Sequence, residues 1–266
     1  MWENQMDINK VTEIRGKTTV YFGVRAIQKM NDIAARLAKL GVSKIAVITG
    51  KSSHIKTGAW AIAEQALTKN KIEFVLYSRV TPNPTADQVD EAAHLARNFG
   101  AQAVLAIGGG SPIDAAKSVA VLLAYPDRTA RELCEFQFTP EQAVPIIAIN
   151  LTHGTGTEVD WFAVVSIPEK EYKPALAYDC LYPMFAIDDP SLMTMLPPDQ
   201  TMYVSVDAVN HAIEAATTNC TNPLAIHLAG EAIRLVAKYL PQAKNNPNDL
   251  TARYFLLYAS MIAGMS

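Results

Sequence analysis

The chain has 266 residues, half of them apolar, with 23 Lys and Arg against 26 Asp and Glu for a formal net charge of -3. That length and apolar content support a substantial core and exclude a disordered or fibrous chain. The charges are scattered rather than run together, which leaves no electrostatic footprint for nucleic acid or an anionic membrane and points to small molecules or other protein chains as partners.

Taken in chain order, Ile27, Met30, Ala34, Leu37 and Leu40 recur at helical spacing and mark one buried face. Short β-branched runs follow at 44–49, 72–77, 103–107 and 146–149 and read as buried strands. Val89, Ala92, Ala93, Ala96 and Phe99 mark the inner face of a helix between them. Strands alternating with helices imply a parallel sheet with helical crossovers, so the expectation for 1–190 is a doubly wound α/β domain. The apolar run 118–125 is far shorter than the ~20 residues a membrane span needs, and the first ten residues carry Glu3 and Asp7 without an apolar core of a leader.

After Pro190 the strand signals stop. Leu196-Pro197-Pro198-Asp199 closes one element and opens a helix, with proline suited to the first turn and Asp199 favoured by the helix dipole. Three helical stretches, 199–217, 224–240 and 250–265, make an all-helical second domain over 191–266. The third is still apolar where the sequence stops. Phe255, Leu256, Leu257, Met261 and Ile262 are expected to want further helices over them, so this domain reads as incomplete, either truncated or short of a partner that supplies the missing wall. Cys134, Cys180 and Cys220 stand far apart with no C-x-x-C pair, which suits free thiols in a reducing cytoplasm.

Three loops fall at strand ends that a parallel sheet brings to one edge, where open α/β sheets bind ligands. The strand at 103–107 runs into Gly108-Gly109-Gly110-Ser111-Pro112 and then a helix with Asp114 and Lys117. Glycines admit an anion close to the main chain, and the free N–H groups and dipole of the helix start favour a pyrophosphate, with the Ser111 hydroxyl as an added donor. Such a turn can also be no more than a tight connection, and it matches neither G-x-G-x-x-G nor the Walker A run. The other two loops are Asn150-Leu151-Thr152-His153-Gly154-Thr155-Gly156-Thr157-Glu158 and Thr81-Pro82-Asn83-Pro84-Thr85.

Farther on, Asp207 and His211 lie one helical turn apart on one face, where an imidazole and a carboxylate can share a divalent cation of the zinc or ferrous type. Asp and His at that spacing also occur as ordinary surface pairs. His153, in the crevice loop, is a candidate to touch substrate or metal. His54 and His94 read as surface residues, and His227 as packing on a helix face.

Gly108-Gly109-Gly110-Ser111-Pro112-Ile113-Asp114-Ala115-Ala116-Lys117, Gly154-Thr155-Gly156-Thr157-Glu158-Val159 and Asp207-Ala208-Val209-Asn210-His211-Ala212-Ile213-Glu214-Ala215 together resemble the iron-containing alcohol dehydrogenase family, in that order. The resemblance extends to Pro82-Asn83-Pro84 and Asp188-Asp189-Pro190. It implies a dinucleotide-binding domain and a helical domain with metal and nicotinamide in the cleft between them, and hydride transfer between an alcohol and nicotinamide. By the resemblance Asp207 and His211 are the first two metal ligands, Fe2+ or Zn2+ being the metal. Gly109, Gly110, Ser111 and Asp114 line the pyrophosphate, Thr152 and Thr155 reach the cofactor, and Asn83 and Lys173 approach it from the flanks. Members that prefer NAD(H) tend to carry Asp at the position of Gly50. Here Gly50 is followed by Lys51, Ser52 and Ser53, a cation and two hydroxyls suited to a 2'-phosphate, so NADP(H) is the expected cofactor, with NAD(H) the alternative. The expected substrate is a small alcohol or aldehyde, and the expected assembly a homo-oligomer.

Two departures stand out. Family members draw their third and fourth metal ligands from two histidines in helices that lie beyond the position of Ser266. In addition, Leu151-Thr152-His153 replaces the two threonines and alanine of many members, and the large Trp161 follows Val159-Asp160. The readings are therefore a metal-dependent alcohol dehydrogenase, a non-catalytic dinucleotide-binding fragment, or the related polyol dehydrogenase type.

Overall fold

The computed structural model describes residues 16–266. Its strands are β1 (Thr19–Phe22), β2 (Lys44–Gly50), β3 (Glu73–Val80), β4 (Ala103–Gly108), β5 (Ile146–Asn150), β6 (Phe162–Val164), β7 (Ala175–Ala177) and β8 (Phe185–Asp188). Six of them form a sheet in the order β1-β8-β5-β4-β2-β3, every pairing parallel, while β6 and β7 make a separate antiparallel pair. The helices between strands are α1 (Met30–Lys39), α2 (Ser53–Lys56), α3 (Ala59–Lys69), α4 (Ala86–Phe99), α5 (Gly110–Ala124) and α6 (Ala130–Cys134). From β2 the chain steps outward to β3, then crosses back to β4 on the other side, so the order reverses at the carboxyl ends of β2 and β4. That reversal is where an open sheet leaves a crevice.

Alternating side chains send the strands into two cores. Ala46, Ile48, Val104, Ala106, Ile146 and Ala148 face α4 and α5, and Ile45, Val47, Leu105, Ile107, Ile147 and Ile149 face α1 and α3. The first face is rich in alanine on both sheet and helix, which lets α4 and α5 sit close to the sheet and to each other. Thr85 opens α4 with a reciprocal capping box with Gln88, and Gly100 closes it in the left-handed conformation at φ 78°. The apolar run 118–125 lies in α5, buried from Ser118 to Leu122. Among the described residues no helix is long and apolar enough to cross a membrane.

Three helices follow the sheet: α7 (Pro198–Thr217), α8 (Pro223–Asn245) and α9 (Leu250–Gly264). They pack on one another around Ala212, Ala232, Leu235, Val236, Leu256, Ala259 and Ile262. Arg253, with 0% exposure, pins α9 to the start of α7 by donating to Thr201 Oγ1 at 2.7 Å and to the carbonyls of Pro247 and Leu196.

Several expectations change. Leu40 is 63% exposed, because α1 ends at Lys39 and the chain turns away through Gly41 at φ 85°. Strands β1 and β8 and the β6–β7 pair were not read from the sequence; each is four residues or fewer. The apolar side of α9 is not bare: Leu256, Leu257 and Ile262 are buried, and Phe255 stacks on Tyr239 with ring centroids 4.5 Å apart. On α7, by contrast, Tyr203, Val206 and Ile213 are 60%, 56% and 47% exposed.

Candidate functional site

Because all six strands run parallel, the loops after β2, β3, β4 and β5 emerge on one edge. At the centre, Gly109 takes an extended conformation and α5 begins at Gly110 with no side chain capping its first turn, so the amides there stay available to a ligand. These glycines are required by what lies against them. A Cβ on Gly108 would fall 2.4 Å from Pro112, one on Gly109 2.5 Å from Thr152 Oγ1, and one on Gly110 2.7 Å from Thr155 Cγ2. The Gly-rich turn and the Thr-rich loop are thus packed face to face, with the Thr152 and Thr155 hydroxyls beside the helix start. Thr152 N donates to Asn150 Oδ1 at 3.1 Å, and Asn83 N donates to Ser111 Oγ at 3.3 Å, which brings the loop after β3 to the same place.

Asn83 adopts φ 55°, and its Oδ1 accepts from Lys173 Nζ at 2.8 Å. Beside this pair a cavity of about 380 Å³ opens between Thr85, Ser166, Ile167 and Tyr172. At the other flank, Gly50 at the end of β2 is followed by exposed Lys51 and Ser53, with Ser52 half-buried. Neither serine hydroxyl caps the short helix α2. His54, expected at the surface, is 1% exposed, and burial lowers its pKa, so the neutral ring belongs to the floor of this turn.

Behind the crevice Asp114 and Lys117, read above as part of the Gly-rich motif, join Thr157 and Asp160 in a buried polar cluster that the sequence did not bring together. Lys117 has 0% exposure, and its ammonium donates to Thr157 Oγ1, Asp160 Oδ1, the Asp160 carbonyl and the Phe162 carbonyl at 2.9, 2.9, 2.9 and 2.6 Å. Asp114 accepts from the Thr157 hydroxyl at 2.7 Å and from Val164 N at 3.0 Å, so its carboxylate is turned inward to this cluster. Burial pushes its pKa up to about 7 against the pull of Lys117 and those donors. In sequence Lys117 is a plain helix lysine; the cue available was the apolar run 119–124 that continues its helix.

Across the cleft, His211 Nδ1 donates to the Gly154 carbonyl at 3.2 Å. A carbonyl only accepts, so the proton sits on Nδ1 and Nε2 keeps its lone pair, the arrangement a metal-binding imidazole needs. That Nε2 is 4.0 Å from Asp207 Oδ1, too far for a hydrogen bond, and both side chains remain about two-fifths exposed or slightly less. The pair therefore fits as part of a ligand set. Among the described residues no group of three His, Cys, Asp or Glu side chains is placed to hold a metal ion.

The Gly154 peptide is a junction: its N–H donates to Ser260 Oγ on α9 at 2.5 Å while its carbonyl orients His211. Two residues on, Gly156 at φ 66° meets Gly264 backbone to backbone, where a Cβ would fall 2.5 Å from Gly264 Cα. His153 does not face the crevice. It has 0% exposure, bonds Ser205 Oγ on α7 at 2.8 Å, and burial lowers its pKa to about 3. It is a neutral strut between loop and helix, not a ligand. His94 is exposed on α4, and His227 is exposed on α8 rather than packed. Cys134, Cys180 and Cys220 are free thiols.

Residues 17–190 match the family model for iron-containing alcohol dehydrogenase, and residues 201–266 the model for the C-terminal part of the same family. Over 266 residues the chain is 57% identical to the long-chain primary alcohol dehydrogenase AdhA of Thermoanaerobacter ethanolicus, covering 100% of this chain and 67% of that protein. It is 32% identical to alcohol dehydrogenase 4 of Schizosaccharomyces pombe, covering 88% of this chain and 55% of that one. NADH-dependent butanol dehydrogenase A from Thermotoga maritima superposes with a TM-score of 0.89 at 30% identity, over 96% of this chain and 63% of its own.

Proposed function

The chain belongs to the iron-containing alcohol dehydrogenase family, and on that premise we propose that it serves hydride transfer between the carbinol carbon of a primary or secondary alcohol and C4 of a nicotinamide dinucleotide, with the aldehyde or ketone as the reverse substrate. The observation that carries this is the contact of Gly109 with Thr152 and of Gly110 with Thr155 at an uncapped helix start. The amides of α5 and the Ser111 hydroxyl would take the pyrophosphate, and Thr152 and Thr155 would close over it from the facing loop. Asp114 would act from behind, by holding Thr157 and Val164. Asn83 and Lys173 would border the cofactor on one flank and Gly50, Ser52 and Ser53 on the other, the latter favouring NADP(H) through its 2'-phosphate.

Asp207 and His211 would supply two ligands of a divalent metal, Fe2+ or Zn2+, with Gly154 fixing the His211 tautomer. When bound, such a metal acts as a Lewis acid on the alcohol or carbonyl oxygen. Among the described residues Asp207 and His211 are two of the three or four protein ligands a catalytic site uses; the second reading is a chain that binds dinucleotide without turning over.

Metal and turnover separate the two. The 266-residue chain is expected to bind NADPH yet to lose iron and zinc on dialysis against a mild chelator and to reduce aldehydes near the background rate. Metal retained at one per chain, with turnover in the range of roughly 1 to 1000 per second, would establish the first reading and require further ligands. Failure to bind NADPH or NADH would defeat both.

A further inference from the structure

Two acids behind the Thr-rich loop play no part in the function proposed above. Glu158 and Asp188 both have 0% exposure. Of their four carboxyl oxygens, Asp188 Oδ1 accepts from Asn150 Nδ2 at 3.1 Å, while Glu158 Oε1, Glu158 Oε2 and Asp188 Oδ2 have no donor among the described residues. Asp188 stands beside Asn150 in the β5–β8 register, at the floor of the crevice. The charged groups facing this spot are Lys117 and Asp114 on α5 and Asp160 in the loop, with His211 of α7 facing Asp160. Lys117 is already taken up by Thr157, Asp160 and Phe162.

Two buried carboxylates that share one amide donor and have no free cation cannot both stay ionised. Burial, and then the charge of Asp188, raises the pKa of Glu158 well above the carboxylate range, and burial pushes Asp188 up to about 7. The two acids are not equivalent. The Asn150 amide favours the anion on Asp188, whereas among the described residues no side chain donates to Glu158, which has only its own backbone amide acting in that sense.

We propose that Glu158 is kept as the neutral acid, so that one proton is buried between the Thr-rich loop and the Asp188 carboxylate of β8. From Asp188 the hydrogen bonds run through Asn150 to Thr152 N, the residue packed on Gly109, and a neutral Glu158 leaves a single buried charge behind that chain. Glu158 is thus a positioning residue for the crevice. That role rests on the function proposed above, but the proton itself does not, and its test needs no cofactor.

Infrared spectra of the full chain near neutral pH should contain the carbonyl stretch of a protonated carboxylic acid, shifted in D2O. That band is lost in Glu158→Gln, which keeps a donor but cannot titrate, and survives in Asp188→Asn, where Glu158 stays fully buried without a cation. The pair also binds more protons folded than unfolded, so its share of the stability is full below about pH 4 and declines as pH rises through about 7. The melting temperature of the wild type should accordingly drop by several degrees across that window, and Glu158→Gln should reduce the drop. A band that persists in Glu158→Gln assigns the proton to another acid, Asp114 first. A band lost in Asp188→Asn alone puts it on Asp188. Either result, or an identical pH slope in wild type and Glu158→Gln, overturns the proposal.

Discussion

The sheet edge and helix α7 face each other across one cleft, yet they are made differently. The sheet side offers backbone: amides at the start of α5, glycines that admit close approach, and hydroxyls from a loop packed against them. Four successive strand ends supply it, and the parallel topology alone brings them together. The α7 side offers side chains. Asp207 and His211 stand two-fifths exposed or slightly less, beside a stripe of Tyr203, Val206 and Ile213 that nothing among the described residues covers. A phosphate site can be assembled from local topology, whereas a metal site needs donors from several elements fixed at once. The Gly154 peptide joins the two halves by carrying the crevice loop on one side and orienting His211 on the other.

If the sheet side is rigid because of what lies behind it, the largest effect should come from Lys117. Replacing it with Met leaves Asp160, 12% exposed, and the inward-facing Asp114 without their cation. Breaking a buried ion pair on one side costs about 3–5 kcal/mol, to be read from urea unfolding curves. A loss below about 1 kcal/mol, the range of surface pairs, would mean that the cluster does not hold the loop.

A smaller effect is expected at the seam between the halves. Gly156→Ala asks a side chain to adopt φ 66° and to enter the backbone of Gly264, where no flexible side chain can give way. The combined strain and clash should destabilise by about 2–3 kcal/mol. A neutral result would show that α9 can slide away from the loop, and that the two halves are less tightly joined than the contact implies.

How much of this was legible in the sequence follows from how far each signal reaches. Strands β2, β4 and β5 carry apolar, β-branched runs buried on both faces, and such runs are visible without partners, while β3 at the sheet edge is only partly buried. Strands β1 and β8 are four residues each, and β8 ends in Asp188; they are strands only because neighbours pair with them. The Gly-rich and Thr-rich loops announced themselves by composition, and the Asp207–His211 spacing by helical geometry. His153 and Lys117 could not be placed this way. One was expected in the crevice and is a buried strut to Ser205, and the other is an ordinary helix lysine until Asp160 and Phe162, more than forty residues on, close around it. Leu40 fails for a local reason, since the helix ends one residue before it.

The smallest effect tests selectivity at the outer end of the sheet edge. Gly50 ends β2 beside Val80 of β3, and a Cβ there would lie 3.4 Å from the Val80 carbonyl, an ordinary contact, with no left-handed backbone to forbid a side chain. The absence of a side chain is therefore not imposed by packing, and the NADP(H) preference proposed above would give it a reason in the ligand. A carboxylate at this strand end would accept from a ribose 2'-OH and repel a 2'-phosphate, whereas Lys51 with Ser52 and Ser53 does the opposite. Gly50→Asp should accordingly weaken NADPH and favour NADH, moving the ratio of their dissociation constants by about tenfold, on the order of 1.4 kcal/mol. The fold should be untouched, so melting temperature serves as the control, and fluorescence titration of both reduced cofactors gives the ratio. An unchanged ratio at wild-type stability would mean that the ribose does not sit at the end of β2, and the sheet side of the cleft would then have to be re-registered around the Gly109–Thr152 contact alone.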